Sequence, residues 1–196
     1  MVRLPWPVVL ASASPRRIDL LATLVESYLV VPANIDEDLL TVEDPCLTAQ
    51  KLATAKASAV ALLHPDSLVI GCDTVVATPR GQLAKPISKE DACNMLRQLS
   101  GMSHSVMTGV CLSMPSGDQT KFVEVTVVSF KELSDKEIRK YVATGEPMDK
   151  AGGYAIQGGA SAFVTSLSGS LSNVVGLPVE RLDQELQALS AKIAGS

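Results

Sequence analysis

An almost continuous run of apolar residues extends over residues 67–77. A strand that is apolar on both faces has to be covered on both faces, so this run predicts a central strand. Shorter apolar runs alternate with helical patterns elsewhere, beginning with a strand at residues 8–11. This alternation predicts an α/β fold with a mixed central sheet flanked by helices. The 196 residues suit a single domain, residues 1–196, with two lobes around a cleft.

Three further elements complete the predicted framework. Asp44 and Pro45 open a long helix that runs to about His64, because Asp is a favoured N-cap and Pro a favoured first helical residue. One hairpin is predicted from residues 105–112 and 121–130, and a second from residues 162–167 and 171–175.

Composition narrows the classes of protein to consider. Asp and Glu number 21 and Lys and Arg 17, and the net charge of −4 argues against a dedicated nucleic-acid binder. A local basic cluster can still hold a small anion. No apolar run approaches the ~20 residues that cross a bilayer, and no signal-peptide pattern begins the chain. Four scattered cysteines predict neither a zinc site nor a disulfide framework. We therefore expect a cytoplasmic protein without a membrane partner.

The turn after the first strand has the features of an anion site. Ser14 and Pro15 are suited to the N-cap and first position of a helix, whose N-terminus attracts anions. Arg16 and Arg17 then place two cations in the first helical turn, where the helix dipole disfavours them unless an anion is bound. Ser12 and Ser14 add hydroxyls beside the same site. The alternative is an ordinary N-cap followed by two solvated arginines.

Asp73 interrupts the apolar run of the central strand. An ionised carboxylate is costly there unless it is paired or binds a metal. Gly71, two residues earlier, would let a ligand or another backbone approach closely. Buried carboxylates with partners are typical of active sites, so we interpret Asp73 as functional. The structural alternative is an Asp at a strand bulge that caps backbone N–H groups.

Lys56 falls within the apolar stripe of the long helix and is therefore predicted to point toward the protein. A lysine that extends its ammonium back to solvent is the alternative, and a nearby anion site favours phosphate binding. Three weaker candidates are Lys85 before a proline, the acidic residues at 36–38, and Gln157 in the glycine-rich segment 149–159. The acidic residues could share a magnesium ion with Asp73, and Gln157 could contact a base edge.

Several of these segments together resemble the Maf family of nucleotide pyrophosphatases. They follow the family order and span nearly the whole chain. The matching segments are Ala-Ser-Ala-Ser-Pro-Arg-Arg (11–17), Ile-Asp-Glu (35–37), Leu-Ala-Thr-Ala-Lys (52–56), Gly-Cys-Asp-Thr-Val-Val (71–76), Leu-Ala-Lys-Pro (83–86), Leu-Ser-Gly (99–101), Asp-Lys-Ala-Gly (149–152) and Val-Gly-Leu-Pro (175–178).

The resemblance implies an inosine-triphosphatase-like fold and a set of roles. Asp73 matches the aspartate regarded as the family's catalytic base. Further active-site residues of the family are matched by Glu37, Lys56 and Lys85. The residues that match positions of substrate choice are Arg16, Thr74 and Gln157. At Asp73 and Thr74 an aspartate is followed by threonine. This pair resembles the one in the branch of the family that acts on dTTP and UTP. The branch that acts on 7-methyl-GTP carries glutamine after the aspartate.

These observations predict a nucleoside triphosphate pyrophosphatase that cleaves between the α- and β-phosphates. The predicted phosphate-binding cations are Arg16, Arg17, Lys56 and Lys85, together with a divalent metal, Mg²⁺ or Mn²⁺. Asp73 either activates water or binds the metal, and Glu37 is the second acidic group. The alternatives are a 7-methyl-GTP pyrophosphatase, a nucleotide-binding regulator of septum formation and cell division, and a phosphomonoesterase. The sequence does not distinguish a monomer from a homodimer.

Overall fold

The computed structural model describes residues 1–194, and in this part of the chain seven strands form one mixed sheet. The strands are β1 (Val8–Ala11), β2 (Leu29–Val30), β3 (Leu68–Thr78), β4 (Gly81–Leu83), β5 (Ser103–Ser113), β6 (Gln119–Phe130) and β7 (Val164–Ser168). Their order is β2-β1-β3-β5-β6-β7, with β4 also paired to β3. The pairs β1–β2 and β1–β3 are parallel and the others antiparallel, so the predicted mixed sheet is confirmed.

Helices flank this sheet. They are α1 (Pro15–Leu21), α2 (Pro45–Ala61), α3 (Lys89–Leu99), α4 (Asp135–Ala143), α5 (Leu171–Val175) and α6 (Val179–Ala194). Asp44 caps α2 as predicted, since its carboxylate accepts from the backbone N–H groups of Cys46 and Leu47. The helix ends at Ala61 rather than near His64. None of the helices in the described range is long and apolar enough to cross a membrane.

Two glycines let α2 lie directly on the sheet. A Cβ at Gly71 of β3 would lie 2.2 Å from the carbonyl oxygen of Ala53, and one at Gly109 of β5 would lie 2.3 Å from that of Ala49. Real Cβ atoms do not approach so closely, so any larger residue would push the helix away. The close approach that the sequence predicted at Gly71 is therefore made by a helix backbone. It sets the distance between Lys56 on α2 and the strand below it.

The edge of β3 is open over four residues. β1 pairs with β3 as far as Ala11 opposite Gly71, and β4 begins its pairing with Leu83 opposite Val76. Between these points, within the described residues, residues 72–75 have no strand neighbour on that side. Because successive side chains of a strand point to opposite faces, Asp73 and Thr74 leave the sheet on different sides of this open edge.

The second predicted hairpin is wrong. Residues 164–168 form β7, but this strand pairs with β6, and Leu171–Val175 is the short helix α5. The Ser170 hydroxyl caps that helix by accepting from the backbone N–H of Asn173. Asn173 is fully buried and donates from Nδ2 to the Val106 carbonyl and the Thr126 hydroxyl, each at 3.0 Å. A cap and one buried amide thus outweigh the strand propensity of the valines.

Candidate active site

A cleft of about 800 Å³ lies along the open edge of β3. Asp38 of the acidic segment lines it and Asp36 does not, and ten other residues that the sequence singled out as site candidates also line it. They are Ser12, Ser14, Arg16, Arg17, Glu37, Lys56, Asp73, Thr74, Lys85 and Gln157. The chain brings these residues together from α1, α2, β3 and four loops. A ligand in this cleft would therefore meet residues from nearly the whole length of the chain.

Lys56 joins two carboxylates at the floor of the cleft. Its Nζ lies 2.6 Å from Asp73 Oδ1 and 2.6 Å from Glu37 Oε1. The side chains of Lys56 and Asp73 are each 12% exposed, whereas that of Glu37 is 48% exposed. Lys56 therefore points inward, as its place in the apolar stripe predicted, and Asp73 is paired, as a buried carboxylate requires.

The environment of Glu37 favours its ionised form. Desolvation by partial burial raises its pKa, whereas the hydrogen bond and the charge of Lys56 lower it. The charges of Lys85 and Arg17 add to the lowering, so the pKa of Glu37 lies below its ordinary value. Glu37 is thus held as an anion beside Asp73, with a single ammonium group between them.

Most of the N–H groups of Arg17 are hydrogen-bonded within the protein. Its Nε donates to the Gly176 carbonyl at 2.8 Å, and Nη1 donates to the Cys72 carbonyl at 3.0 Å and the Ser12 hydroxyl at 3.2 Å. Nη2 donates to the Thr74 hydroxyl at 3.0 Å. A guanidinium has five N–H groups. One on Nη2 therefore has no acceptor among the described residues and is left for a ligand.

The N-terminus of α1 lies in the cleft, but the two serines differ in role. Ser14 occupies the N-cap position, yet its hydroxyl makes no capping hydrogen bond, which corrects the side-chain cap expected there. The Ser12 hydroxyl is engaged instead, because it accepts from the Ser14 N–H at 3.3 Å and from Arg17. The first turn of α1 contains no acidic residue. Its N-terminal dipole is therefore not neutralised by a side chain of its own turn.

The glycine-rich segment 149–159 forms one wall of the cleft. Gly152 has a φ of +71°, and a Cβ there would lie 2.9 Å from the Val76 side chain. Tyr154 anchors the segment, since its hydroxyl lies 2.7 Å from Nε2 of the buried His104. Burial lowers the pKa of His104 to about 4, so this histidine is neutral near pH 7. Gln157 stays exposed at the cleft.

Lys150 lines the cleft and was given no role from the sequence. Its Nζ donates to the Glu146 carbonyl at 2.8 Å and to Asp149 at 2.5 Å, and its side chain is only 12% exposed. A lysine within a glycine-rich segment has no periodic apolar neighbours, so no sequence pattern gives its direction. Its place in the lining of the cleft is visible only in the folded chain.

Known proteins match this chain over most of its length. The family model for "Maf-like protein" matches residues 7–189. A dTTP/UTP pyrophosphatase of Geobacillus sp. (strain WCH70) is 47% identical over 182 residues, 93% of this chain and 97% of that protein. A dTTP/UTP pyrophosphatase of Koribacter versatilis (strain Ellin345) is 48% identical over 175 residues, 89% of this chain and 90% of that protein. A solved HAM1 protein from Coxiella burnetii superposes with a TM-score of 0.49 and 14% identity, over 93% of this chain and 99% of that one.

Proposed function

This chain belongs to the Maf family, and on that premise we propose that it hydrolyses dTTP and UTP to the nucleoside monophosphate and pyrophosphate. The two relatives described above share almost half of their residues with it and are named for that activity. The observation that carries the proposal is the pairing of Lys56 with Asp73 and Glu37 inside a cleft of about 800 Å³.

The cleft residues divide into two groups in the proposed reaction. Lys56, Arg16, Lys85 and the remaining N–H of Arg17 face the space where phosphates would lie, and their positive charges offset the charge of the triphosphate. Asp73 is the inner carboxylate, and Lys56 holds its Oδ1 in one position. In this proposal Asp73 orients the attacking water and accepts its proton as the water oxygen bonds to the α-phosphorus. The bond between the α-phosphorus and the bridging oxygen breaks, and pyrophosphate leaves with that oxygen.

We propose Glu37 and Asp73 as the carboxylates that would hold a divalent cation beside the bound phosphates. Mg²⁺ is usually held by one or two carboxylates together with substrate phosphates, and these two carboxylates already converge on one ammonium group. Within the described residues no cluster of three or more His, Cys, Asp and Glu side chains forms a complete metal site. We therefore propose that Mg²⁺ or Mn²⁺ enters with the nucleotide. When bound, it would supply further charge neutralisation for the phosphates.

The proposed activity is tested with a panel of nucleotides in the presence and absence of Mg²⁺ and Mn²⁺. We expect pyrophosphate from dTTP and UTP and loss of turnover in EDTA. Asp73→Asn should also lose turnover while it still folds and unfolds in one cooperative thermal transition, at a lower Tm because its ion pair with Lys56 is gone. Asp66→Asn is the matched control, because Asp66 is exposed just before β3 and lies outside the cleft. Release of orthophosphate alone would refute a pyrophosphatase, and a preference for 7-methyl-GTP would refute the assigned substrate.

We also propose a cytoplasmic location, because dTTP and UTP serve there as precursors of nucleic acids. Cell fractionation followed by detection of the protein checks this. Recovery of the protein outside the soluble fraction would contradict it.

A further inference from the structure

A series of hydrogen bonds joins the cleft to the fully buried residue Asn173 on α5. Thr108 on β5 is fully buried and lies outside the cleft lining. Its hydroxyl lies 2.9 Å from the hydroxyl of Thr74 and 3.0 Å from the backbone carbonyl of Asn173. Thr74, in turn, accepts a hydrogen bond from Arg17 Nη2 at 3.0 Å. The order of groups is therefore Arg17, Thr74, Thr108 and the Asn173 carbonyl.

The two ends of this series fix the direction of every hydrogen bond within it. A carbonyl oxygen can only accept, so the single hydroxyl proton of Thr108 points to Asn173. Thr108 must then accept from Thr74, which commits the only hydroxyl proton of Thr74. The opposite direction would set the lone pairs of Thr108 and the Asn173 carbonyl against each other 3.0 Å apart in a fully buried place.

Thr74 therefore presents only an acceptor to the cleft. A hydroxyl oxygen has two acceptor lone pairs, and Arg17 occupies one of them. The remaining lone pair can accept a hydrogen bond from a ligand but cannot donate one. Phosphate oxygens are acceptors, so they gain nothing from Thr74. A donor group of the nucleotide suits it instead.

We propose that Thr108 is a positioning residue that makes Thr74 select the imide N3–H of thymine and uracil over the unprotonated N3 of cytosine. This inference rests on the proposed function, because it takes a pyrimidine nucleotide as the ligand. Thr108 acts through Thr74 and contacts no substrate. Without its hydroxyl, the proton of Thr74 is released and can turn toward the cleft, so that Thr74 donates as readily as it accepts.

The test compares the wild type with Thr108→Val, Thr108→Ser and Thr126→Val. Valine preserves the shape of threonine and removes the hydroxyl, whereas serine restores the hydroxyl. Thr126 is the matched control: it is fully buried on β6 and bonded to Asn173 Nδ2 and Ser170, but no bond joins it to Thr74. Binding of the non-hydrolysable α,β-methylene analogues of UTP and CTP is measured by calorimetry. Turnover of UTP and CTP is measured separately.

We expect the wild type and Thr108→Ser to bind the UTP analogue more tightly than the CTP analogue. Thr108→Val should reduce that ratio about fivefold, the effect of one neutral hydrogen bond. Thr126→Val should lower thermal stability and keep the ratio. An unchanged ratio in Thr108→Val, an equal loss for both analogues, or an equal change in Thr126→Val would overturn the inference. If selective binding follows this pattern but pyrophosphate is never released, the proposed function fails and the role of Thr108 stands.

Discussion

Replacing Lys56 with methionine tests the electrostatics of the cleft floor most directly. Methionine has a similar length and no charge, so the substitution leaves Glu37 and Asp73 facing each other without a cation. Their oxygens lie about 5 Å apart at most, because each is 2.6 Å from the same nitrogen. At an effective dielectric constant of about 20, two unit charges at about 5 Å repel by about 3 kcal/mol.

Two corrections apply to that figure. Glu37 is 48% exposed, so water screens its charge and reduces the repulsion to about 1–2 kcal/mol. Asp73 also loses its ion-pair partner while remaining mostly buried, and breaking a fully buried pair costs about 3–5 kcal/mol. Because the cleft admits water, we expect a total destabilisation of about 2–3 kcal/mol. In a chain of this length that corresponds to a fall in Tm of about 5–10 °C.

Thermal unfolding at several pH values provides the assay. Because Lys56 lowers the pKa of Glu37 below its ordinary value of 4.5, this ionic stabilisation is complete above that value and is lost as the pH falls below it. The Tm difference between wild type and Lys56→Met should therefore be largest near pH 7 and shrink below pH 4.5. Lys51→Met, an exposed lysine on the same helix, is the control. Equal Tm values for the two variants at pH 7 would refute the reasoning.

Three further predictions concern the framework. Gly71→Ala should lower Tm by at least about 5 °C and reduce activity, since its Cβ would lie 2.2 Å from the Ala53 carbonyl; differential scanning fluorimetry checks this. Ser134→Ala should cost about 1 kcal/mol in chemical denaturation with kcat unchanged, because it removes only the capping box of α4. Burial lowers the pKa of His104 to about 4, so the free energy of unfolding should fall by up to about 3 kcal/mol between pH 6.5 and 4. His104→Gln should lack this part of the pH dependence.

The sequence predicted the residues whose chemistry conflicts with their local pattern. Asp73 stood out because a charge interrupts an apolar strand, and Lys56 stood out because a charge occupies an apolar helix face. In both cases the structure contains the compensating partner. A charged residue is easily recognised in an element whose apolar residues are strongly periodic. The ion pair between Asp73 and Lys56 is then expected, because a buried charge requires a partner of opposite charge.

The sequence could not predict how the remaining groups are used. Arg17 is bonded to Gly176, Cys72 and Thr74, which lie 159, 55 and 57 residues away along the chain. No local pattern indicates those contacts, so the sequence predicts a phosphate-binding role for Arg17 but not the hydrogen bonds that hold its guanidinium. The misassigned strand at residues 171–175 has the same origin, because the bonds from the side chain of Asn173 join it to β5 and β6.

The open edge of β3 has a consequence for how such an enzyme can diversify. Asp73 and Thr74 are adjacent in the chain and reach one cleft, but they leave opposite faces of the strand and have separate partners, Lys56 for one and Arg17 with Thr108 for the other. A substitution at residue 74 would therefore alter the second set of contacts and leave the ion pair in place. Substrate range can thus drift during evolution while the inherited reaction is retained.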